Sequence, residues 1–189
     1  MIVDLLRHGE TELGGGLRGS LDDALTELGW AQMRAAVAEA GPWDRLVSSP
    51  LQRCARFAEQ TATRLGLPLQ LEAGLQELHF GAWEGQSAAE LMLTDEQGLG
   101  QFWADPYAFT PPDGEPVLRF AERVHAAMAR LRQAHAGERV LIVTHGGVMR
   151  LLLAQARGLP REQLLQVVVG HGAVHRLLCE ADGRFVEVG

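Results

Sequence analysis

Short apolar runs alternate along this chain with stretches of helical period, and that alternation restricts the possible folds more than any other feature. Ile2–Leu6 is apolar, β-branched and of buried-strand length. Leu25-Thr26-Glu27 opens a helical stretch through Ala40, with Thr26 as N-cap and Gly41-Pro42 as stop. Arg45–Ser48 reads as a second strand. Ser49-Pro50 then supplies an N-cap and a proline for a helix that runs to Gly66. Leu69–Leu71 is a third strand. Phe120, Val124, Met128 and Leu131 mark one face of a further helix at spacings of four, four and three. Val140–Val143 is the clearest strand, followed by a helix over Gly147–Arg157. Val167–Val169 and Val174–Leu178 read as closing strands, and Phe185–Val188 as an edge. This order predicts an α/β fold, a three-layer α/β/α sandwich with a mostly parallel central sheet.

The 189 residues are enough for a single domain, 1–189, with a real core. With 47% hydrophobic and 22% charged residues, the composition excludes disorder for the chain as a whole. Seventeen Lys+Arg against 24 Asp+Glu give a net charge of −7, which argues against sequence-independent binding of nucleic acid or anionic membrane. Asp4, Arg7 and His8 interrupt any signal-peptide core, and the apolar run from Val148 to Ala156 is broken by Arg150. Cys54 and Cys179, the two cysteines, fit a reducing compartment, so the expected location is cytoplasmic. Between about 81 and 116, prolines, glycines and aspartates punctuate a lid-like, irregular segment with two short helices, a kind of segment more often functional than accidental.

In open α/β sheets ligands bind beyond the carboxyl ends of the strands. The first strand ends in Arg7-His8-Gly9, the second in Ser48-Ser49-Pro50 with Arg53 one turn on, and the strong strand in Thr144-His145-Gly146-Gly147. Two histidines and two arginines therefore reach one face, beside helix N-termini that add N–H donors. Arginines hold phosphate oxygens bidentately, a histidine can attack phosphorus, and the glycines after each histidine let backbone approach a ligand. The constellation suits a phosphoryl group.

Leu6-Arg7-His8-Gly9-Glu10-Thr11 resembles the signature of the histidine phosphatase superfamily, the phosphoglycerate-mutase-like enzymes. Ser48-Ser49-Pro50-Leu51-Gln52-Arg53, Glu77 ahead of Phe80-Gly81-Ala82-Trp83-Glu84-Gly85, and Val143-Thr144-His145-Gly146-Gly147 resemble its later blocks in order and spacing. The resemblance implies that His8 is the nucleophile and forms a phosphohistidine. It implies that Arg7, Arg53 and His145 hold the phosphoryl oxygens, with Gly146, Thr11 and Arg18 also lining the substrate. Glu77 would protonate the leaving alcohol and then take a proton from the hydrolytic water. No cofactor or metal is implied. Where the family often has an asparagine six residues after the nucleophile, this chain has Gly14, so one neutral donor is lost or is replaced by loop N–H groups or Arg18.

Mutases of this superfamily are usually longer, so the chain looks more like a phosphatase of small phosphate monoesters. Leu17–Gly29, Trp103-Ala-Asp-Pro106 and Pro111-Pro-Asp-Gly-Glu115 look like the bacterial α-ribazole-phosphatase branch, which acts on α-ribazole 5′-phosphate or cobalamin phosphate. The alternatives are a broad-specificity or sugar-phosphate phosphatase on the same site, or an idle phospho-ligand module, which would need neither His8 nor Glu77.

Several other signals are bland. Gly14–Ser20 has P-loop-like glycines without the lysine. Cys54 reads as a buried, inert thiol. His171 and His175 have zinc-like spacing, but four residues along a strand separate them by roughly 13 Å. His125 and His135 read as solvated, and His79 as lining the pocket mouth or as structural. Trp83, Trp103, Tyr107 and Phe109 form either a satellite core or an aromatic lid.

Overall fold

The computed structural model describes residues 1–38 and 40–188. Its strands are β1 (Ile2–Arg7), β2 (Arg45–Ser48), β3 (Leu69–Leu71), β4 (Arg139–Thr144), β5 (Val174–Cys179) and β6 (Phe185–Glu187). They form one sheet in the order β3-β2-β4-β1-β5-β6. The β3–β2, β2–β4 and β4–β1 pairs are parallel, whereas β5 runs antiparallel to β1 and β6 antiparallel to β5. The helices are α1 (Glu27–Ala38), α2 (Gln52–Leu65), α3 (Ala88–Thr94), α4 (Glu96–Ala104), α5 (Val117–Ala134) and α6 (Gly146–Ala156).

The alternation of side chains along each buried strand builds two cores. Val3 and Leu5 of β1, Val47 of β2 and Val140 and Ile142 of β4 pack with α5 and α6. Leu6, Leu46, Leu141 and Val143, one residue out of step, pack with Met33 of α1 and Phe57 of α2. The three-layer arrangement follows directly from that division.

Thr26 caps α1 as its position predicts, accepting from Gly29 N–H at 3.0 Å. The helix ends at Ala38, Glu39 lies outside the described residues, and Ala40 is in a bend rather than the expected last turn. Ser49-Pro50 does not start α2. Leu51 is its N-cap, and the Asp22 carboxylate accepts from Gln52 N–H at 2.6 Å. A carboxylate reaching across from another loop thus does what the local serine was expected to do.

Val167–Val169 is not a strand. Val167 and Val169 are each 3% exposed and Val168 84%, so the alternation is real. Its carbonyls, however, accept from arginines instead of a neighbouring strand: Val167 from Arg150 Nε at 3.0 Å and Val169 from Arg7 Nη1 at 2.6 Å. His125 is exposed, but His135 is buried at the end of α5, 3.3 Å from Gln70 and 3.5 Å from Glu138, contrary to the solvated position expected for it.

The 81–116 segment contains α3, held by a Ser87–Glu90 capping box, and α4, capped by Asp95. Asp95 also accepts from the Trp83 indole at 3.0 Å, and the Trp83 ring stacks on Phe109 at 5.4 Å. Trp83 and Phe102 are continuous with the α5–α6 core, so these aromatics are packing, while Trp103 stands apart at 51% exposure.

Candidate active site

Strand register brings the two histidines together. Arg7 pairs with Thr144 across the parallel β1–β4 ladder, so the next residue on each strand, His8 and His145, emerges beside the other. Their ring centroids are 5.3 Å apart, edge to face. Ser48 pairs with Val143 across β2–β4, which puts Ser49 alongside, and its Oγ is 2.7 Å from His145 Nε2.

The hydrogen bonds fix both tautomers. His8 Nδ1 lies 2.8 Å from the Gly9 carbonyl, which can only accept, so Nδ1 carries the proton and Nε2 keeps its lone pair. Arg53 Nε, which can only donate, meets His145 Nδ1 at 3.3 Å, so His145 donates from Nε2 to Ser49. Burial, reinforced by the Arg53 and Arg7 charges, pushes His8 down to about 3. Burial, then Arg53 and His8, also holds His145 well below its ordinary value. Both rings are neutral at pH 7.

Two arginines complete the cationic floor. Arg53 is fully buried, and its guanidinium donates to the carbonyls of Leu21 at 2.6 Å and Gly19 at 2.9 Å. That 18–21 loop is itself held by Glu84, which accepts from the backbone N–H groups of Ser20 at 2.7 Å and Leu21 at 2.8 Å. Arg7 spends Nη1 on Val169, while its buried Nε has no protein partner. A buried guanidinium N–H without a partner points to a ligand oxygen. Gly146, the first residue of α6, lies against this group: a Cβ there would be 3.3 Å from Arg7 Nε.

Glu77 arrives from the loop after β3. Its Oε2 accepts from Gly147 N–H at 2.9 Å and its Oε1 from Leu78 N–H at 3.0 Å. A Cβ at Gly147 would sit 2.1 Å from Oε1, so only glycine leaves room for the carboxylate. Arg123 of α5 grips the loop from behind, donating to the carbonyls of Gly74 (3.1 Å), Gln76 (2.8 Å) and Glu77 (2.8 Å). Its remaining donors pair with Glu115 at 2.7 and 2.8 Å. Gly9, in contrast, makes room for Gly29 of α1, whose carbonyl would be 2.2 Å from a Cβ, and not for a ligand.

His8, His145, Arg7, Arg53, Gly146 and Glu77 are thus gathered at one end of the sheet. Thr11 is buried and bridges Leu25 through its backbone. Arg18 pairs with Asp23 at 2.8 Å and donates to the carbonyls of Gly14 and Gly16, so its guanidinium is occupied within its own loop. His79 lines a cleft with Glu77 and lies 3.6 Å from Glu84. Cys54 is buried against His145, and burial pushes its thiol far up. His175 pairs with Glu187 at 3.0 Å, whereas His171 leaves the strand altogether and stands 5.7 Å from the His8 ring. Among the described residues no three His, Cys, Asp or Glu side chains are grouped to hold a metal ion. Sequence alone does not single out Arg123, and it offers Glu115 only within the Pro111–Glu115 block and His171 only in a zinc-like spacing, because none of the three follows a strand's carboxyl end.

Known proteins share this arrangement of elements. A bifunctional protein of Mycobacterium tuberculosis is 35% identical over 178 residues, which are 92% of this chain and 46% of that protein. The chain therefore spans about half the length of that relative. The adenosylcobalamin/α-ribazole phosphatase of Escherichia coli is 31% identical over 172 residues, covering 89% of this chain and 85% of the relative. The solved structure of a mycobacterial glucosyl-3-phosphoglycerate phosphatase with VO3 superposes with a TM-score of 0.87 at 27% identity, covering 99% of this chain and 96% of that one. The model of the histidine phosphatase superfamily (branch 1) matches residues 3–188, and the chain belongs to that family.

Proposed function

We propose that this protein is a metal-independent phosphomonoesterase that works through a phosphohistidine on His8, with α-ribazole 5′-phosphate or cobalamin phosphate as substrate. The observation that carries the reading is a neutral imidazole whose Nε2 lone pair is uncommitted, beside a buried arginine N–H that has no protein partner. In the first step Nε2 attacks phosphorus, the P–O bond to the leaving alcohol breaks, and Glu77 delivers a proton to the departing oxygen. In the second, water attacks phosphorus and gives its proton to Glu77, while the P–N bond breaks and returns its electron pair to Nε2. Arg7 and Arg53 balance the charge on the transferred oxygens, the task divalent cations perform in other phosphoryl-transfer sites. The resting His8 ring is neutral and supplies the lone pair, and the neutral His145 ring contributes shape and hydrogen bonding but no charge.

Relatives of both the α-ribazole and the sugar-phosphate kind cover most of this chain, so one observation favours the α-ribazole branch. An apolar cleft of about 50 Å³ between Phe80, Phe102, Leu164 and Leu165 lies beside Glu77, where the edge of a flat aromatic base fits better than a sugar. The likeness to glucosyl-3-phosphoglycerate phosphatase supports a sugar-phosphate substrate as the second reading. Unpaired, buried Cys54 and Cys179 suit the cytoplasm.

Rapid quenching with labelled p-nitrophenyl phosphate tests the chemistry. An acid-labile, base-stable phosphoenzyme is expected from the native protein with EDTA present, and none from His8→Ala, with turnover lowered by several orders of magnitude. Near-native turnover in His8→Ala, or activity abolished by EDTA and restored by Mg²⁺, would defeat the reading. Ranking phosphate monoesters by kcat/KM then tests the substrate: α-ribazole phosphate should lead, and a lead for glucosyl-3-phosphoglycerate would transfer the assignment to the second reading.

A further inference from the structure

Two imidazoles flank His8. The ring of His145 lies 5.3 Å away at 62°, and that of His171 5.7 Å away at 40°. They differ in what they have left to offer. His145 is fully buried, with one nitrogen against Arg53 and the other against Ser49. His171 is exposed, and the charges of Arg7, Arg18 and Glu10 act on it through space.

The backbone around His171 is fixed to the nucleophile's own strand. Gly172 N–H donates to the carbonyls of Arg7 at 3.2 Å and His8 at 3.4 Å, and Arg7 N–H donates to the Ala173 carbonyl at 3.0 Å. On the other side, the Arg7 guanidinium holds the Val169 carbonyl at 2.6 Å. Gly172 turns the chain with a φ of +68°, a conformation that favours glycine. Residues 169–173 therefore form a fixed wall beside His8, with one imidazole on it.

We infer that His171 is a direct ligand of the transferred phosphoryl group, donating a ring N–H to a phosphoryl oxygen on the exposed side of His8. The inference rests on the phosphohistidine reading for the identity of the ligand. It also accounts for two features of the facing loop. Gly14 has no side chain to offer, and Arg18 is engaged with Asp23 and its own loop's carbonyls. Desolvation, then the Arg7 and Arg18 charges against the opposing pull of Glu10, lowers the His171 ring from its ordinary value and so favours the neutral form, in which one nitrogen donates.

Inorganic phosphate is the probe, titrated calorimetrically and as a competitive inhibitor against native protein and His171→Ala, His171→Phe and His171→Gln. Loss of a hydrogen bond to a charged group predicts phosphate binding weaker by about 10-fold or more in the Ala and Phe variants. Turnover of p-nitrophenyl and alkyl phosphates should fall equally in those two. His171→Gln, which keeps an N–H donor, should stay within a few-fold of native. Native phosphate affinity in a folded His171→Ala would overturn the assignment. Equal weakening by Gln and Phe would do so too, as would a loss that varies with the leaving group while phosphate affinity holds. Failure of the phosphohistidine reading shows separately, as absence of a phosphoenzyme from the native protein, and leaves the phosphate titration readable.

Discussion

His8 is buried as a neutral base, and this has a cost in acid. The unfolded chain takes up a proton near 6.5, whereas the folded ring resists protonation down to about 3. Between those values the unfolded state binds more protons, so stability falls as pH falls through that window, by up to about 1.4 kcal/mol per pH unit. His8→Gln removes the titration. Its melting temperature should drop less than that of the native protein between pH 7 and pH 5, and parallel drops in scanning calorimetry would show that the ring is not held neutral. Sequence made His8, Arg7, Arg53 and His145 legible because each follows a strand's carboxyl end, where position and chemistry coincide. His171 was misread for a physical reason. Spacing alone puts it on the strand with His175, whereas Gly172 turns the chain before β5 begins and delivers the ring to the pocket.

At the scale of elements, α5 does for Glu77 what strand register does for the histidines. The guanidinium of Arg123 reaches the carbonyls of Gly74, Gln76 and Glu77 and the Glu115 carboxylate, an arrangement that a lysine's single ammonium cannot reproduce. Arg123 is therefore a positioning residue for the leaving-group acid, and its loss should carry the signature of losing that acid. Glu77→Gln should slow phosphoenzyme formation from an alkyl phosphate about 10²- to 10⁴-fold, and much less from p-nitrophenyl phosphate, whose leaving group needs no proton. Arg123→Lys should show the same asymmetry to a smaller degree in single-turnover experiments. Equal losses on both substrates in Arg123→Lys would mean that the clamp serves folding alone. The apolar stripe of α5 was visible as Phe120, Val124, Met128 and Leu131. Arg123, lying between two of these positions, reads as a solvated charge until the loop it grips is in place.

Across the whole molecule, the sheet is held by a buried charge that no local pattern reveals. Asp4 is fully buried on β1 and accepts from the Trp43 indole at 2.7 Å, from Arg139 of β4 at 2.8 Å and from Arg176 of β5 at 2.7 Å. From sequence alone Asp4 only interrupts an apolar run, because its partners lie 39, 135 and 172 residues away. Burial alone would raise its carboxyl, but the hydrogen bonds from Arg176, Trp43 and Arg139 outweigh that and hold it below the usual 3.8. Its contribution is thus present above 3.8 and lost as pH falls through the lower folded value. Removing one partner of a buried ion pair costs about 3–5 kcal/mol. Both arginine side chains keep some contact with water, at 23% and 33% exposure, so the lower end applies to Asp4→Ala. About 3 kcal/mol in a domain of this size corresponds to a melting temperature lower by roughly 6–12 °C. Asp4 touches none of the groups at the strand ends, so phosphoenzyme formation per folded molecule and KM should stay native well below the melting transition. A native melting temperature, or a changed KM in the folded variant, would show that the Asp4 network does something other than join β1 to its neighbours.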